Sequence, residues 1–223
     1  MLTNLVDTIP DFEERSGQIK MASAVENALK ETLEHFGTVD FLLNGAGGSH
    51  PTTTTTTELE FFDIDPEAVQ KVMDLNYLSA VIPSQAVGRV YADKGEGAIV
   101  NITSISVVMP IPGLDLSSAA RAGLTSFLAG VAPKVAAQNV TINNILPGFF
   151  LTDRHNTALK QAMDERDLSL EEAIAERAEP VPAKRFGIPE EFGEACAFLC
   201  GSNAGYITGQ NLVIDGGRYP GAF

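Results

Sequence analysis

The chain has 223 residues, of which 44% are hydrophobic and 20% charged, and its formal net charge is −14. This size and composition predict one globular domain spanning residues 1–223, and the acidic balance excludes a nucleic-acid-binding protein, which would need a basic surface. No apolar run approaches the roughly 18 residues that span a bilayer, and the first residues lack the basic and apolar regions of a signal peptide, so we expect a cytoplasmic protein without membrane contact.

In chain order, the pattern alternates helices and strands. Apolar residues at helical spacing predict four helices: 22–36, 65–91, 114–137 and 189–200. Short runs rich in Val, Ile, Leu or Phe predict four strands: 39–43, 98–102, 140–146 and 211–214. Three of these strands lack alternating polar residues, as strands covered by helices on both faces do. We therefore predict an α/β fold with a mainly parallel sheet.

Three features within these elements carry further expectations. Pro83 and Pro133 lie inside predicted helices and should bend them. Cys196 and Cys200 lie four residues apart in the last helix; we interpret them as small buried apolar residues, and no metal site is expected. The polar, helix-patterned segment 152–183 lies between two strands, where it is either a lid over the substrate or a solvated helical excursion.

Several motifs follow one another at a spacing typical of one enzyme family. LLNGAGG occupies 42–48, DLNYLSA contains Asn76, IVNITS ends on Ser104, and INNILPGFFLT contains Pro147 and Gly148. RFGIPEEFGEACAFLC and GYITGQNLVIDGG continue the series towards the C-terminus. In this register the chain resembles the short-chain dehydrogenase/reductase family.

The resemblance implies a Rossmann-like doubly wound parallel sheet that binds NAD or NADP. Asn76 stands where the family has an asparagine that kinks a helix and holds a catalytic water, and Ser104 stands where it has the catalytic serine. The cofactor-binding positions carried over from the family are Asn44, Ala46, Gly47, Arg121, Pro147, Gly148 and Thr152. Each of these residues also has an ordinary interpretation if the shared spacing of the motifs is set aside. Asn76 would then be a helix residue bonded to a backbone group, Ser104 would be a common strand-end serine, and Pro147 with Gly148 would be a loop breaker.

The active site departs from the family pattern at one pair of residues. The family uses Tyr-x-x-x-Lys, whereas this register places Ser117 and Arg121 at the two positions. A tyrosine, with a pKa of about 10, can be tuned by an ammonium group to exchange protons near neutral pH, whereas a serine needs an activating base. Arg121 could still hold the cofactor ribose, with Ser117 at the proton-donor position. Whether this pair is catalytic is left open by the sequence.

The N-terminal part also departs from the pattern. A dinucleotide site needs a glycine-rich turn after the first strand, but Gly17 is the only glycine before Gly37. The resemblance therefore implies that the first β-α-β portion is lacking, with residues 1–17 as its remnant, and it places Gln18 at the family's adenine contact. Whether the sequence is a fragment or the deletion is natural, the sheet edge beside 39–43 would lack its neighbouring strand and would need cover from the N-terminal segment, another chain or further residues.

Two functions remain open from the sequence. The first is an NAD(P)-linked oxidoreductase that interconverts a carbonyl and a secondary alcohol of a small-molecule substrate. The alternative is a non-catalytic subunit that stabilises or regulates a catalytic partner chain. NGAGGSHP also resembles the sugar-acid reductases of the family, which would place His50 over the substrate, although a loop histidine is more often just solvated. The residues that would select NAD or NADP follow strand two of the family fold. They belong to the portion that the resemblance implies is lacking, so the sequence does not distinguish NAD from NADP.

The resemblance also implies an oligomer. The long helices 65–91 and 114–137 would form one two-fold interface, and the last helix with the last strand would form another. We expect a homo-oligomer, a dimer or a tetramer, or a hetero-oligomer with another chain of the same family.

Overall fold

The structure is a computed structural model that describes residues 16–48 and 64–221, apart from the side chains at 16–17, 154–155 and 157–158. The expectation for His50 and nearly all of the 1–17 remnant lie outside the described residues. No helix within the described ranges is long and apolar enough to cross a membrane.

Four parallel strands form one sheet in the order β1-β2-β3-β4, which confirms the α/β fold with a parallel sheet. The strands are β1 (Phe41–Asn44), β2 (Gly97–Ile102), β3 (Val140–Pro147) and β4 (Asn211–Ile214). β1 begins two residues later than the sequence predicts, because its pairing with β2 starts at Phe41, opposite Ala98.

Seven α-helices connect and flank these strands in the described part of the chain. They are α1 (Ser16–Phe36), α2 (Pro66–Met73), α3 (Ser79–Lys94), α4 (Asp115–Val135), α5 (Asp153–Arg166), α6 (Leu170–Arg177) and α7 (Pro189–Cys200). α1 begins six residues before the prediction, so Gln18, the position of the family's adenine contact, lies inside a helix.

The helix predicted over 65–91 is divided by a π-helical turn at Asp74–Leu78. The irregularity therefore lies at this turn, whereas Pro83, where the prediction put the bend, lies within the continuous helix α3. Pro133 similarly lies inside α4, which passes into a 3-10 turn only after Val135. A π turn accommodates one extra residue and is a recognised cause of helix irregularity independent of proline.

The core lies on both faces of the sheet. On one face, Ile99 of β2 packs with Tyr91, Leu124 and other residues of α3 and α4. On the other face, the next residue of β2, Val100, packs with a cluster that includes Cys196 of α7. Burial raises the pKa of the Cys196 thiol and so suppresses its thiolate. This agrees with the interpretation of Cys196 as a small apolar residue.

β1 has no neighbouring strand on its outer side among residues 16–48 and 64–221. Phe41 is 57% exposed and Leu43 43% exposed there. The two side chains line a groove of about 870 Å³ between β1, α1 and α3. The open edge expected from the sequence is present in the described part, whereas the lack of a first β-α-β portion stays a prediction.

Candidate active site

The predicted site residues follow the carboxyl ends of β1, β2 and β3. Because the strands are parallel, these ends meet at one edge of the sheet, where open α/β sheets bind their ligands. Asn44, the last residue of β1, is in register through β2 with Asn144 of β3, two strand spacings or about 10 Å away, and Pro147 ends β3 three residues further on. The fold thus brings residues that are about one hundred positions apart in the sequence to the same edge.

A ladder of four asparagines, one in each strand, crosses the sheet just before this edge. The Nδ2 of Asn44 donates to Oδ1 of Asn101 at 2.8 Å, and the Nδ2 of Asn101 donates to Oδ1 of Asn144 at 3.2 Å. The Nδ2 of Asn144 then donates to Oδ1 of Asn211 at 2.8 Å. We call these four residues the asparagine ladder. Because the side chains bond directly across neighbouring strands, they fix the register of the sheet at this level.

The asparagine ladder also fixes where the site begins. Three of its members stand three residues before Gly47, Ser104 and Pro147, respectively. The three site segments therefore leave the sheet from the same level. Sequence reasoning identified Asn44 but missed the asparagine ladder, although an asparagine also stands three residues before Ser104 in VNITS and three residues before Pro147 in NNILPG.

The glycine loop after β1 lies against Asn76 and Arg121. Gly47 has a φ of +147°, and a Cβ there would lie 2.7 Å from Nη2 of Arg121 and 3.1 Å from Oδ1 of Asn76. Only glycine allows this approach. Gly45, Ala46 and Gly47 are all exposed, so a dinucleotide could pass along this backbone.

Asn76 lies in the π turn, is 2% exposed and clamps the glycine loop. Its Nδ2 donates to the carbonyl oxygens of Gly48 at 2.9 Å and Val72 at 3.2 Å, while its Oδ1 accepts the Gly48 N–H at 3.0 Å. The side chain therefore positions the loop, and its role with a catalytic water stays a prediction.

Arg121 connects α4 to the end of β2. Its Nη1 donates to the carbonyl oxygens of Ile102 at 3.2 Å and Thr103 at 3.0 Å, and its Nε donates to the Ser117 Oγ at 3.3 Å. Ser117 is 8% exposed, and its hydroxyl oxygen accepts this bond, so the hydroxyl proton must point elsewhere. The predicted pair is thus a directly bonded unit, held beside Gly47.

Ser104 follows Thr103 and begins the 3-10 helix Ile105–Val107. Its Oγ accepts the N–H of Ser106 at 3.1 Å. This is the ordinary capping role of a strand-end serine. It leaves the half-buried Ser104 hydroxyl able to donate its proton to a ligand.

Pro147 and Gly148 bring the end of β3 close to the end of β4. The Gly148 N–H donates to the Ile214 carbonyl oxygen at 2.8 Å, and a Cβ on Gly148 would lie 2.7 Å from the Asp215 Cβ. Thr152 is exposed and stands at the N-terminus of α5. The site therefore combines the glycine loop on one side with Gly148 and Thr152 on the other.

The segment 152–183 forms the helices α5 and α6, whose buried residues Leu159, Ala173 and Ala178 form a small core with Phe186 just beyond the segment. Behind it, Arg185 forms a two-pronged ion pair with Glu191, with N–O distances of 2.8 and 2.6 Å. This pairing lowers the pKa of the Glu191 carboxyl to about 2. α5 directly follows Thr152, which is consistent with a lid, although that role stays a prediction.

Comparison with known proteins identifies the family. A family model described as enoyl-(acyl carrier protein) reductase matches residues 8–218. The uncharacterized oxidoreductase UxuB of Bacillus subtilis is 31% identical over 207 residues, which cover 87% of this chain and 72% of the relative. The 3-oxoacyl-acyl-carrier-protein reductase FabG of Vibrio cholerae is 34% identical over 196 residues, covering 88% of this chain and 73% of FabG.

Solved structures show the same fold. YwfH, an NADPH-dependent reductase, superposes with a TM-score of 0.79 over 90% of this chain and 76% of its own, at 24% identity. Actinorhodin polyketide ketoreductase with NADPH superposes with a TM-score of 0.76 at 27% identity, over 88% of this chain and 74% of its own. The family model, the relatives and the fold agree, and the chain belongs to the short-chain dehydrogenase/reductase family.

Proposed function

We propose that the chain is an oxidoreductase that interconverts a carbonyl and a secondary alcohol with NADP or NAD as cofactor. The observation that supports this most directly is that two bonded pairs, Asn76 with Gly48 and Arg121 with Ser117, lie on either side of Gly47, while Arg121 also bonds to Thr103, the neighbour of Ser104. Its relatives include 3-oxoacyl-acyl-carrier-protein reductases and an acetoacetyl-CoA reductase, and a ketoreductase of the same fold is described with NADPH.

The described residues fit the nicotinamide and ribose part of such a cofactor. The exposed backbone of Gly45 to Gly47 offers a surface without side chains, and Gly148 lies at the opposite side of the edge. In this proposal Asn44, Ala46, Gly47, Pro147, Gly148 and Thr152 contact the cofactor. A bound nicotinamide supplies the hydride that reduces the carbonyl carbon.

The protein side of the reaction is assigned to three residues. The Ser104 hydroxyl donates a hydrogen bond to the carbonyl oxygen and so orients it. The Arg121 guanidinium holds a fixed positive charge beside the glycine loop, which stabilises the negative charge that develops on that oxygen. The Ser117 hydroxyl, bonded to Arg121, occupies the proton-donor position. Asn76 positions the loop that carries the cofactor.

The function can be tested by NADPH oxidation at millimolar NADPH with a panel of ketones that includes acetoacetyl-CoA and keto sugar acids. Ser104→Ala should lower kcat/KM on the order of 100-fold, since it removes an oriented donor. Ser202→Ala, which changes an exposed serine beyond α7, is the matched control and should leave the rate unchanged. Equal rates for the two variants would remove Ser104 from the mechanism. If no ketone reacts with the parent chain, the non-catalytic alternative gains support.

A further inference from the structure

Two arginines from distant segments converge on the ring of Phe149, the residue directly after Gly148. The Arg218 Cζ lies 4.4 Å from the ring centroid, and the Arg177 Cζ lies 5.8 Å from it. Arg177 ends α6, and Arg218 follows β4. The ring itself packs on Phe186, with centroids 5.4 Å apart. Two positive charges therefore lie close to the Phe149 ring, beside the candidate active site.

Neither arginine is neutralised by a carboxylate in the part of the chain that the structure describes. The Nη1 of Arg218 is buried and has no hydrogen-bond partner there. The neighbouring carboxylate, Asp215, accepts the N–H groups of Gly217 at 2.8 Å and Tyr219 at 2.6 Å instead.

A buried guanidinium N–H without a partner is unfavourable, because it has lost its water and gained no acceptor. Stacking on Phe149 offsets part of the free-energy cost of burying the positive charge, but the ring provides no acceptor for the N–H donor. The planar donor fork of an arginine matches the oxygens of a carboxylate or a phosphate. The unpaired donor therefore points to an oxyanion as its missing partner.

We propose that Arg218, assisted by Arg177, binds an anionic group of the substrate, a carboxylate or a phosphate. As a statement about the substrate, this rests on the function proposed above. Phe149 lies three residues before Thr152, and the Arg177 Cζ at the end of α6 lies 5.8 Å from its ring centroid, so the anion would lie beside Phe149, next to Gly148. Substrate charge would then select among the many carbonyl compounds that the family reduces.

The inference can be tested by thermal unfolding of the full chain during titration with sodium phosphate, and separately with sodium gluconate, against sodium chloride at equal ionic strength. Phosphate or gluconate should raise the Tm of the parent protein beyond the effect of chloride. Arg218→Met should weaken the apparent affinity at least about tenfold, as expected for a lost charged hydrogen bond. Arg177→Met should weaken it less, because Arg177 is exposed.

Arg166→Met is the matched control. Arg166 lies on the lid segment but already pairs with Glu176 at 2.6 Å, so its loss should leave anion binding unchanged. In buffer without the anion, Arg218→Met should have a Tm equal to or above that of the parent, since it removes an unpaired buried donor. Gluconate binding alone identifies a carboxylate group, and phosphate binding alone identifies a phosphate.

No anion-specific rise in the parent, an undiminished rise in Arg218→Met, or an equal loss in Arg166→Met would each overturn the inference. The titration contains neither NADPH nor a carbonyl compound. Its failure therefore leaves the proposed oxidoreductase function standing, and a chain without reductase activity would still bind the anion at Arg218.

Discussion

Ser117 and Arg121 are the two candidate site residues that depart from the family pattern. Their place was predictable from the sequence, because the spacing from Ser104 sets the register. Their anchoring was not, because the carbonyl oxygens of Ile102 and Thr103 reach Arg121 only through packing of α4 on the end of β2. The structure shows a guanidinium held by backbone acceptors. Such a group can stabilise charge but cannot pass on its own proton.

The pair can be tested by replacing it with the family's residues. Ser117→Tyr together with Arg121→Lys should raise turnover of a generic ketone on the order of 100-fold, because it installs a titratable acid with a tuning ammonium group. A tyrosine must be protonated to donate, so the reduction rate of the double variant should fall as the pH rises through the pKa of the new phenol. The parent should show no such fall. A double variant no faster than the parent would mean that the Ser-Arg pair has its own effective mechanism.

At the scale of the elements, strand and helix patterns were predictable because they depend on local hydrophobic spacing. The bounds of α7 and β4 agree with the prediction, 189–200 and 211–214. The asparagine ladder was not predicted, and the π turn at Asp74–Leu78 was anticipated only as the helix kink that the family resemblance implies at Asn76. Both depend on contacts across the fold: Asn76 bonds to Gly48, and the ladder bonds across strands. Apolar periodicity carries no signal for either.

The asparagine ladder gives a stability prediction. Asn101 is fully buried in its centre, accepting from Asn44 and donating to Asn144. Asn101→Ala should lower the free energy of unfolding by about 2–4 kcal/mol, because it leaves buried donors and acceptors without partners. Urea denaturation at fixed protein concentration measures this.

Asn27→Ala is the control for this measurement. Asn27 is exposed on α1, and its replacement should change stability by no more than about 0.5 kcal/mol. Equal effects of the two substitutions would show that the ladder does not support the sheet.

At the scale of the whole molecule, two exposed apolar surfaces favour an oligomer. Phe127 of α4 is 38% exposed and packs with Tyr77 at a centroid distance of 5.9 Å. Phe198 of α7 and Leu212 of β4 are 49% and 38% exposed. These are the two surfaces that the family resemblance implies as two-fold interfaces, so we predict a dimer or a tetramer.

Light scattering at micromolar concentration measures the assembly. In a tetramer, Phe127→Glu and Phe198→Glu should each abolish one interface and lower the assembly mass by half; in a dimer, only the substitution at the interface in use should do so. Lys160→Glu on the exposed face of α5 should not change the mass. A stable monomer of 23.7 kDa for the parent chain would contradict this prediction.

The cofactor affinity is also a property of the whole chain. The 223 residues contain no glycine-rich turn before Gly37, and such a turn at a helix N-terminus normally neutralises the pyrophosphate. We therefore predict that these 223 residues alone bind NADPH and NADH more weakly than the micromolar range. Calorimetry with both cofactors checks this, and a micromolar dissociation constant for either would show that another segment supplies the phosphate contacts.

The most direct test of the central claim follows the hydride itself. NADPH carrying deuterium at the transferable position of the nicotinamide is supplied at millimolar concentration with acetoacetyl-CoA and with keto sugar acids, and the alcohol products are analysed by mass spectrometry. The proposed function predicts an alcohol with one deuterium on the former carbonyl carbon, formed with at least one of these ketones. Formation of no labelled alcohol from any of them by the folded, oligomeric protein would contradict it.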